Sequence, residues 1–267
     1  MGFSLRGTFI TDDGVKIVYE DEGKGKAILM VHGWGATRKF WRDIREALLR
    51  KYRVITFDLR GHGESDKPVD ADYSIYRIAK DVVELLEHLN IEEFVYIGHS
   101  LGGVIGLYLG SNCKKKLKGM VIITAPYELK STYGGFFFKV LKFALQRNRK
   151  IAALMLTPRL FANRGDRKLM DFIRRESATV PVHVLINVGD HNKNINLWGQ
   201  LGNIKRPVLL ISGGKDKIVK VKIMEKIASK IKNSKHYTIE NAGHNAILEE
   251  PQKIAQLITT FLREINY

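Results

Sequence analysis

At 267 residues the chain has room for one large α/β domain or a domain carrying an insert, and its 45% apolar share is that of an ordinary globular protein. A single cysteine, Cys113, excludes an intrachain disulfide, and no window of about 18 apolar residues offers a membrane span. The formal net charge of +16 favours anionic partners. With no basic helix interleaved with aromatics, no zinc-finger spacing and no RRM pattern, it does not point to nucleic acid.

Residues 1–10 lack the apolar core of a signal peptide, and Arg6 stands where a myristoylation pattern needs Ser or Thr, so a cytoplasmic location is expected. Residues 8–11 and 15–21 predict a hairpin turning at Asp13-Gly14. Residues 27–32 and 53–58 are short apolar runs of the buried-strand kind. Between them, 37–50 has helical spacing, with Phe40, Ile44, Ala47 and Leu48 on one face. Residues 75–89 repeat that pattern through Ile78, Val82, Leu85, Leu86 and Leu89. A strand over 94–97, a helix over 100–112 and a buried strand over 119–124 follow. Cys113, at the end of that helix, reads as a small packed residue. The Lys114-Lys115-Lys116 run beyond it reads as cations complementing a helix dipole.

From 126 to 200 the rhythm changes to helices without strands, and 13 basic residues face 5 acidic ones, a net +8. Gly135 to Gln146 contains Phe, Leu, Val and two Lys; it reads as an amphipathic helix buried on the body of the protein, and membrane contact is not expected. The alternation then resumes: a strand over 208–212, a helix over 221–231, a strand over 236–239 and a closing helix over 251–265. Pro251 suits that helix's first turn, and Ile254, Leu257, Ile258, Phe261 and Leu262 form its apolar stripe. Such alternation predicts a parallel sheet with helices on both faces. The expected organisation is a core of 1–125 and 201–267 with 126–200 as a helical cap.

Chemistry concentrates in Gly98-His99-Ser100-Leu101-Gly102, at the junction of a strand and a helix. A serine between glycines in that context is a nucleophile-elbow signature, because side chains at the flanking positions would collide in so tight a turn. A serine hydroxyl needs a base, usually a histidine held by a carboxylate. Of eight histidines, His244 in Asn241-Ala242-Gly243-His244-Asn245 lies in the loop after the last strand, at the same sheet edge. Asp216, after the strand over 208–212, is the expected carboxylate; Thr124 ends the preceding strand and cannot serve, and Asp58 belongs to another loop. An oxyanion would meet the backbone N–H groups of Leu101 and of Trp34, the latter in His32-Gly33-Trp34-Gly35. His32 and His62 read as loop braces and His99 as part of the wall. The expected pocket draws on His32, His99, Phe136, Phe137, Leu141, Leu154, Met155 and Leu160, with the Trp34 ring. Neither a metal-ligand spacing nor a dinucleotide fingerprint is present, and no metal or cofactor is expected.

These motifs, with Asp58-Leu59-Arg60-Gly61-His62-Gly63-Glu64-Ser65 and the order Ser, Asp, His, resemble the α/β-hydrolase superfamily over nearly the whole chain. The resemblance implies a mostly parallel central sheet of about eight strands flanked by helices, with an inserted helical cap. The first part also resembles epoxide hydrolases and haloalkane dehalogenases, which carry an aspartate where Ser100 stands; Ser100 argues for acyl chemistry. A carboxylesterase acting on a small-molecule ester is the main expectation. The His32-Gly33-Trp34-Gly35 loop also resembles that of acyl-carrier-protein methyl esterases. There a basic cap including Arg174 and Arg175 would suit an acidic carrier protein or an anionic substrate. Carbon–carbon bond hydrolysis, perhydrolysis and a non-catalytic ligand receptor are the remaining alternatives.

Overall fold

A computed structural model describes residues 3–113, 116–163 and 166–267; Lys114 and Lys115 of the lysine run lie outside these, and Lys116 is described through its backbone alone. Two hairpin strands open the chain, β1 (Phe3–Ile10) and β2 (Lys16–Gly23), followed by β3 (Ala27–Val31). A 3-10 turn (Arg38–Trp41) leads into α1 (Arg42–Leu49), then β4 (Arg53–Phe57), α2 (Ile75–His88), β5 (Glu93–His99), α3 (Leu101–Asn112) and β6 (Lys116–Ile123). Next come α4 (Lys130–Tyr133), α5 (Phe136–Arg147), α6 (Arg149–Leu160), α7 (Arg167–Ala178) and α8 (Val182–Asn192). β7 (Val208–Gly213), α9 (Val221–Lys230), β8 (Ser234–Ile239), α10 (Ala246–Glu249) and α11 (Pro251–Glu264) complete the chain.

The strands form one eight-stranded sheet in the order β1-β2-β4-β3-β5-β6-β7-β8. β1–β2 and β2–β4 are antiparallel and every later pair is parallel. Strands β3, β5 and β7 are apolar on both faces, and their period of two sorts their side chains into two cores. Leu29, Val31, Phe94, Tyr96 and Leu210 join α2, α3 and α9 on one side. Ile28, Met30, Val95, Ile97 and Leu209 join α1 and α11 on the other. Helix α2 starts where the Ser74 side chain accepts from Arg77 N at 3.2 Å, an N-cap that satisfies one otherwise orphaned donor.

The departures from the sequence reading are local. The helix expected over 37–50 begins as a 3-10 turn, which advances more per residue than an α-helix. Phe40, Ile44 and Leu48 are buried, whereas Ala47 is exposed. Strands β1 and β8 extend beyond their apolar stretches because, at a sheet edge, polar residues are tolerated on the outer positions. Between β6 and β7 the described residues form helices, with one isolated bridge between Glu128 and Asn196.

Candidate active site

The strand order places the site. From β3 the chain moves to β4 on one side, then crosses to β5 on the other, so the β3–β5 boundary is a topological switch point with a crevice at its carboxyl ends. The loops after β3 and β5 open there, carrying Trp34 and Ser100. Loops after β7 and β8 bring Asp216 and His244 to the same edge.

Ser100 sits at φ 52 and ψ −116, outside the regions an L-residue prefers, at a cost of roughly 1–3 kcal/mol. Two glycines allow it. A Cβ on Gly98 would lie 2.4 Å from the Gly102 carbonyl oxygen, and one on Gly102 would lie 2.2 Å from that of Val31. The turn is pinned by Ser100 N donating to Ile123 O and Val104 N donating to Ser100 O, each at 3.0 Å.

His244 Nε2 lies 2.9 Å from Ser100 Oγ, and its Nδ1 lies 2.8 Å from Asp216 Oδ2. The second Asp216 oxygen accepts from the N–H groups of Ile218 and Val219 at 2.7 and 2.9 Å, which fixes the carboxylate. A buried carboxylate facing Nδ1 holds the ring proton there, so Nε2 presents a lone pair to the serine hydroxyl. The three residues distant in sequence are thus joined by one hydrogen-bonded run. Asp58, by contrast, ion-pairs with Arg38 and accepts from Arg38 N and Glu64 N at 2.7 and 2.9 Å, bracing its own loop.

Three residues around His244 escaped the sequence reading in this role. The His244 carbonyl accepts from His99 Nε2 at 2.9 Å and from Thr124 Oγ1 at 3.0 Å. Burial, then the neighbouring His244, pushes His99 down to about 3, so it stays neutral and donates from Nε2. Glu249 on α10 accepts from Gly243 N, Ala162 N and Asn163 N at 2.7, 2.8 and 3.2 Å, tying the His244 loop to the end of α6.

Leu101 is the first residue of α3 and has no carbonyl one turn earlier in that helix to receive its N–H. In the loop after β3, Gly35 N donates to His62 Nε2 at 3.2 Å and Ala36 N to Gly33 O at 3.2 Å. His62 in turn donates from Nδ1 to Arg60 O at 3.0 Å. His32 accepts Leu59 N on Nε2 at 3.0 Å and donates from Nδ1 to Gly33 O at 2.8 Å. Burial lowers His32 to about 4 and His62 to about 3, so both are neutral. The Trp34 indole donates to Leu185 O at 3.0 Å and packs on Tyr133 and Phe138.

A cavity of about 310 Å³ opens at Ser100 and His244. Of the expected pocket residues, His99, Phe137, Leu141 and Leu160 line it, as does Trp34; His32, Phe136, Leu154 and Met155 do not. His32 is buried beneath the loop. Phe136 and Leu154 are 81% and 73% exposed, because α5 turns Phe137, Phe138 and Leu141 inward and α6 turns Leu156 and Leu160 inward. Met155 packs on the core beside that face. The lining also includes Arg159 and Lys217 and contains no Asp or Glu. A depression of about 460 Å³ near Tyr76, Tyr108 and the half-buried Cys113 involves none of the residues just described.

The model of the α/β-hydrolase fold family matches residues 26–251, and the chain belongs to that family. It is 27% identical over 262 residues to the AB hydrolase superfamily protein YisY of Bacillus subtilis, covering 94% of this chain and 97% of that one. The esterase EaEST from Exiguobacterium antarcticum superposes with a TM-score of 0.89 over 97% of this chain and 100% of that chain; at 23% identity it shows likeness of fold. A thermophilic esterase from Thermogutta terrifontis, solved with malate bound, gives a TM-score of 0.87 at 26% identity over 99% and 100% of the two chains. The protein is a hydrolase of this fold with esterase-like neighbours. Among the described residues no helix is long and apolar enough to cross a membrane.

Proposed function

We propose that the protein is a serine hydrolase of carboxylic esters, working through an acyl-enzyme. The observation that carries the reading is the hydrogen-bonded run Asp216–His244–Ser100 ending in a largely apolar cavity. Ser100 Oγ attacks the ester carbonyl carbon while His244 Nε2 takes the hydroxyl proton. The carbonyl oxygen becomes an anion and is received by the N–H groups of Leu101 and Trp34. The tetrahedral centre collapses, the C–O bond to the alcohol breaks, and His244 returns the proton to the leaving oxygen. Water then attacks the acyl-enzyme with the same imidazole as base; the acid leaves and Ser100 Oγ regains its proton. Asp216 stays ionised and stabilises the imidazolium throughout. In this reading residues 126–200, with helices α4 to α8, are the cap, and Phe137, Leu141 and Leu160 form the acyl wall.

A second reading narrows the ester to one carrying a negative charge. Arg159 and Lys217 on a cavity wall whose described lining includes no Asp or Glu favour it, and the net +8 of residues 126–200 agrees. Arg174 and Arg175 lie on α7 away from the cavity lining.

One panel tests both readings: p-nitrophenyl esters of increasing chain length, neutral and with a terminal carboxylate, on wild type and Ser100→Ala. Hydrolysis by the wild type alone supports the ester reading, and equal turnover by both overturns it. A preference for the carboxylate series that Arg159→Ala removes supports the second reading, and indifference to charge overturns that one.

A further inference from the structure

We propose that the outward face of α5 and α6 is a docking surface for an anionic lipid interface. Residues 129–163 contain seven Lys and Arg and no Asp or Glu. Among the described residues, Lys142 is the one of these that pairs with a carboxylate, that of Asp190. Lys139, Arg147 and Lys150 are exposed, with the Arg147 guanidinium 5.1 Å from the centre of the Phe143 ring.

The same two helices expose Phe136, Val140, Phe143, Ile151 and Leu154, half of the ten exposed large apolar side chains found among the described residues. That concentration in two short helices separates them from ordinary scattered surface leucines. On α5, Phe136, Val140 and Phe143 follow one another at helical spacing and form a stripe opposite the buried Phe138, Leu141 and Leu145. On α6, Ile151 and Leu154 are three apart while Ala152 is buried. Leu141 and Leu156 turn toward one cavity, so the opposite faces of the two helices look away from it together.

Charge and apolarity choose the occupant between them. A second copy would bring two cationic faces together. An acidic protein would neutralise the cations but needs an apolar patch of its own to cover the phenylalanines. An anionic bilayer surface satisfies both, with phosphates for the lysines and the acyl boundary for the aromatic and aliphatic side chains. The absence of membrane contact expected from sequence rested on α5 burying its apolar residues, and this outer stripe is not buried. The inference stands independently of the ester reading, since its readout is binding.

The test is co-sedimentation of the full chain with vesicles of phosphatidylcholine alone and of phosphatidylcholine mixed with phosphatidylglycerol. Retention is expected on the anionic vesicles, weakening with added salt. Lys139→Glu/Lys150→Glu and Phe136→Ser/Phe143→Ser should each lower affinity by at least about tenfold with melting temperature preserved. No retention at low salt overturns the proposal. So does retention undiminished in Phe136→Ser/Phe143→Ser, which would mark adhesion by charge alone. A wild-type dimer that this double variant converts to monomer, without vesicle retention, assigns the face to a second copy and also overturns it.

Discussion

Asp216 gives one oxygen to His244 and the other to two backbone N–H groups, so its place in the chain of proton donors is set from both sides. In Asp216→Asn an amide N–H₂ facing Nδ1 would force the ring proton onto Nε2, where it blocks removal of the serine proton. The expected outcome is a fall in kcat of about 10⁴-fold with little change in KM, measured on any ester the wild type turns over. Activity within about tenfold of wild type would contradict the assigned role. The convergence of Ser100, His244 and Asp216 was legible because each follows a strand and sits in a glycine-bearing loop, a pattern that places all three at one sheet edge. Thr124 and Glu249 were not. They act on backbone groups, the His244 carbonyl and the Gly243 N–H, and every residue carries such groups, so no residue type at the partner position announces the contact.

The β5–α3 element depends on close approach of two backbones. Gly102→Ala places a methyl group against the Val31 carbonyl, and relief requires β3 and α3 to separate. That overpacking should cost about 3 kcal/mol, a melting temperature lower by roughly 6–10 °C for a domain of this size, checked by calorimetry. An unchanged melting temperature would mean the elbow is looser than its geometry implies. The same element explains why the core was readable: β3, β5 and β7 are apolar on both faces and admit one interpretation. The helices between β6 and β7 admit several. Phe136, Phe137 and Phe138 are adjacent and equally apolar, yet the first faces solvent while the second and third line the cavity, the third of them buried. Periodicity finds such a helix but cannot choose its inward face when apolar residues surround it.

At the scale of the whole molecule, three buried neutral histidines link stability to pH. His32, His62 and His99 are lowered by burial to about 4, 3 and 3 from an ordinary 6.5. Below pH 6.5 the unfolded chain takes up protons that the folded one refuses, so stability falls as pH drops. Their contribution is complete above about pH 6.5 and is lost progressively toward about pH 3–4. Denaturant midpoints should therefore decline from pH 7 to pH 5, and less steeply in His99→Gln; a midpoint flat across that range would contradict the burial of these rings. The strand order, the glycine turns and these bracing histidines all converge on one oxygen. The most direct test of the account is therefore covalent capture of that oxygen: treatment with a fluorophosphonate followed by peptide mass spectrometry. The account predicts a single adduct on Ser100, absent in Ser100→Ala and formed far more slowly in His244→Ala. An adduct on another residue, or none under conditions where the wild type hydrolyses esters, would contradict it.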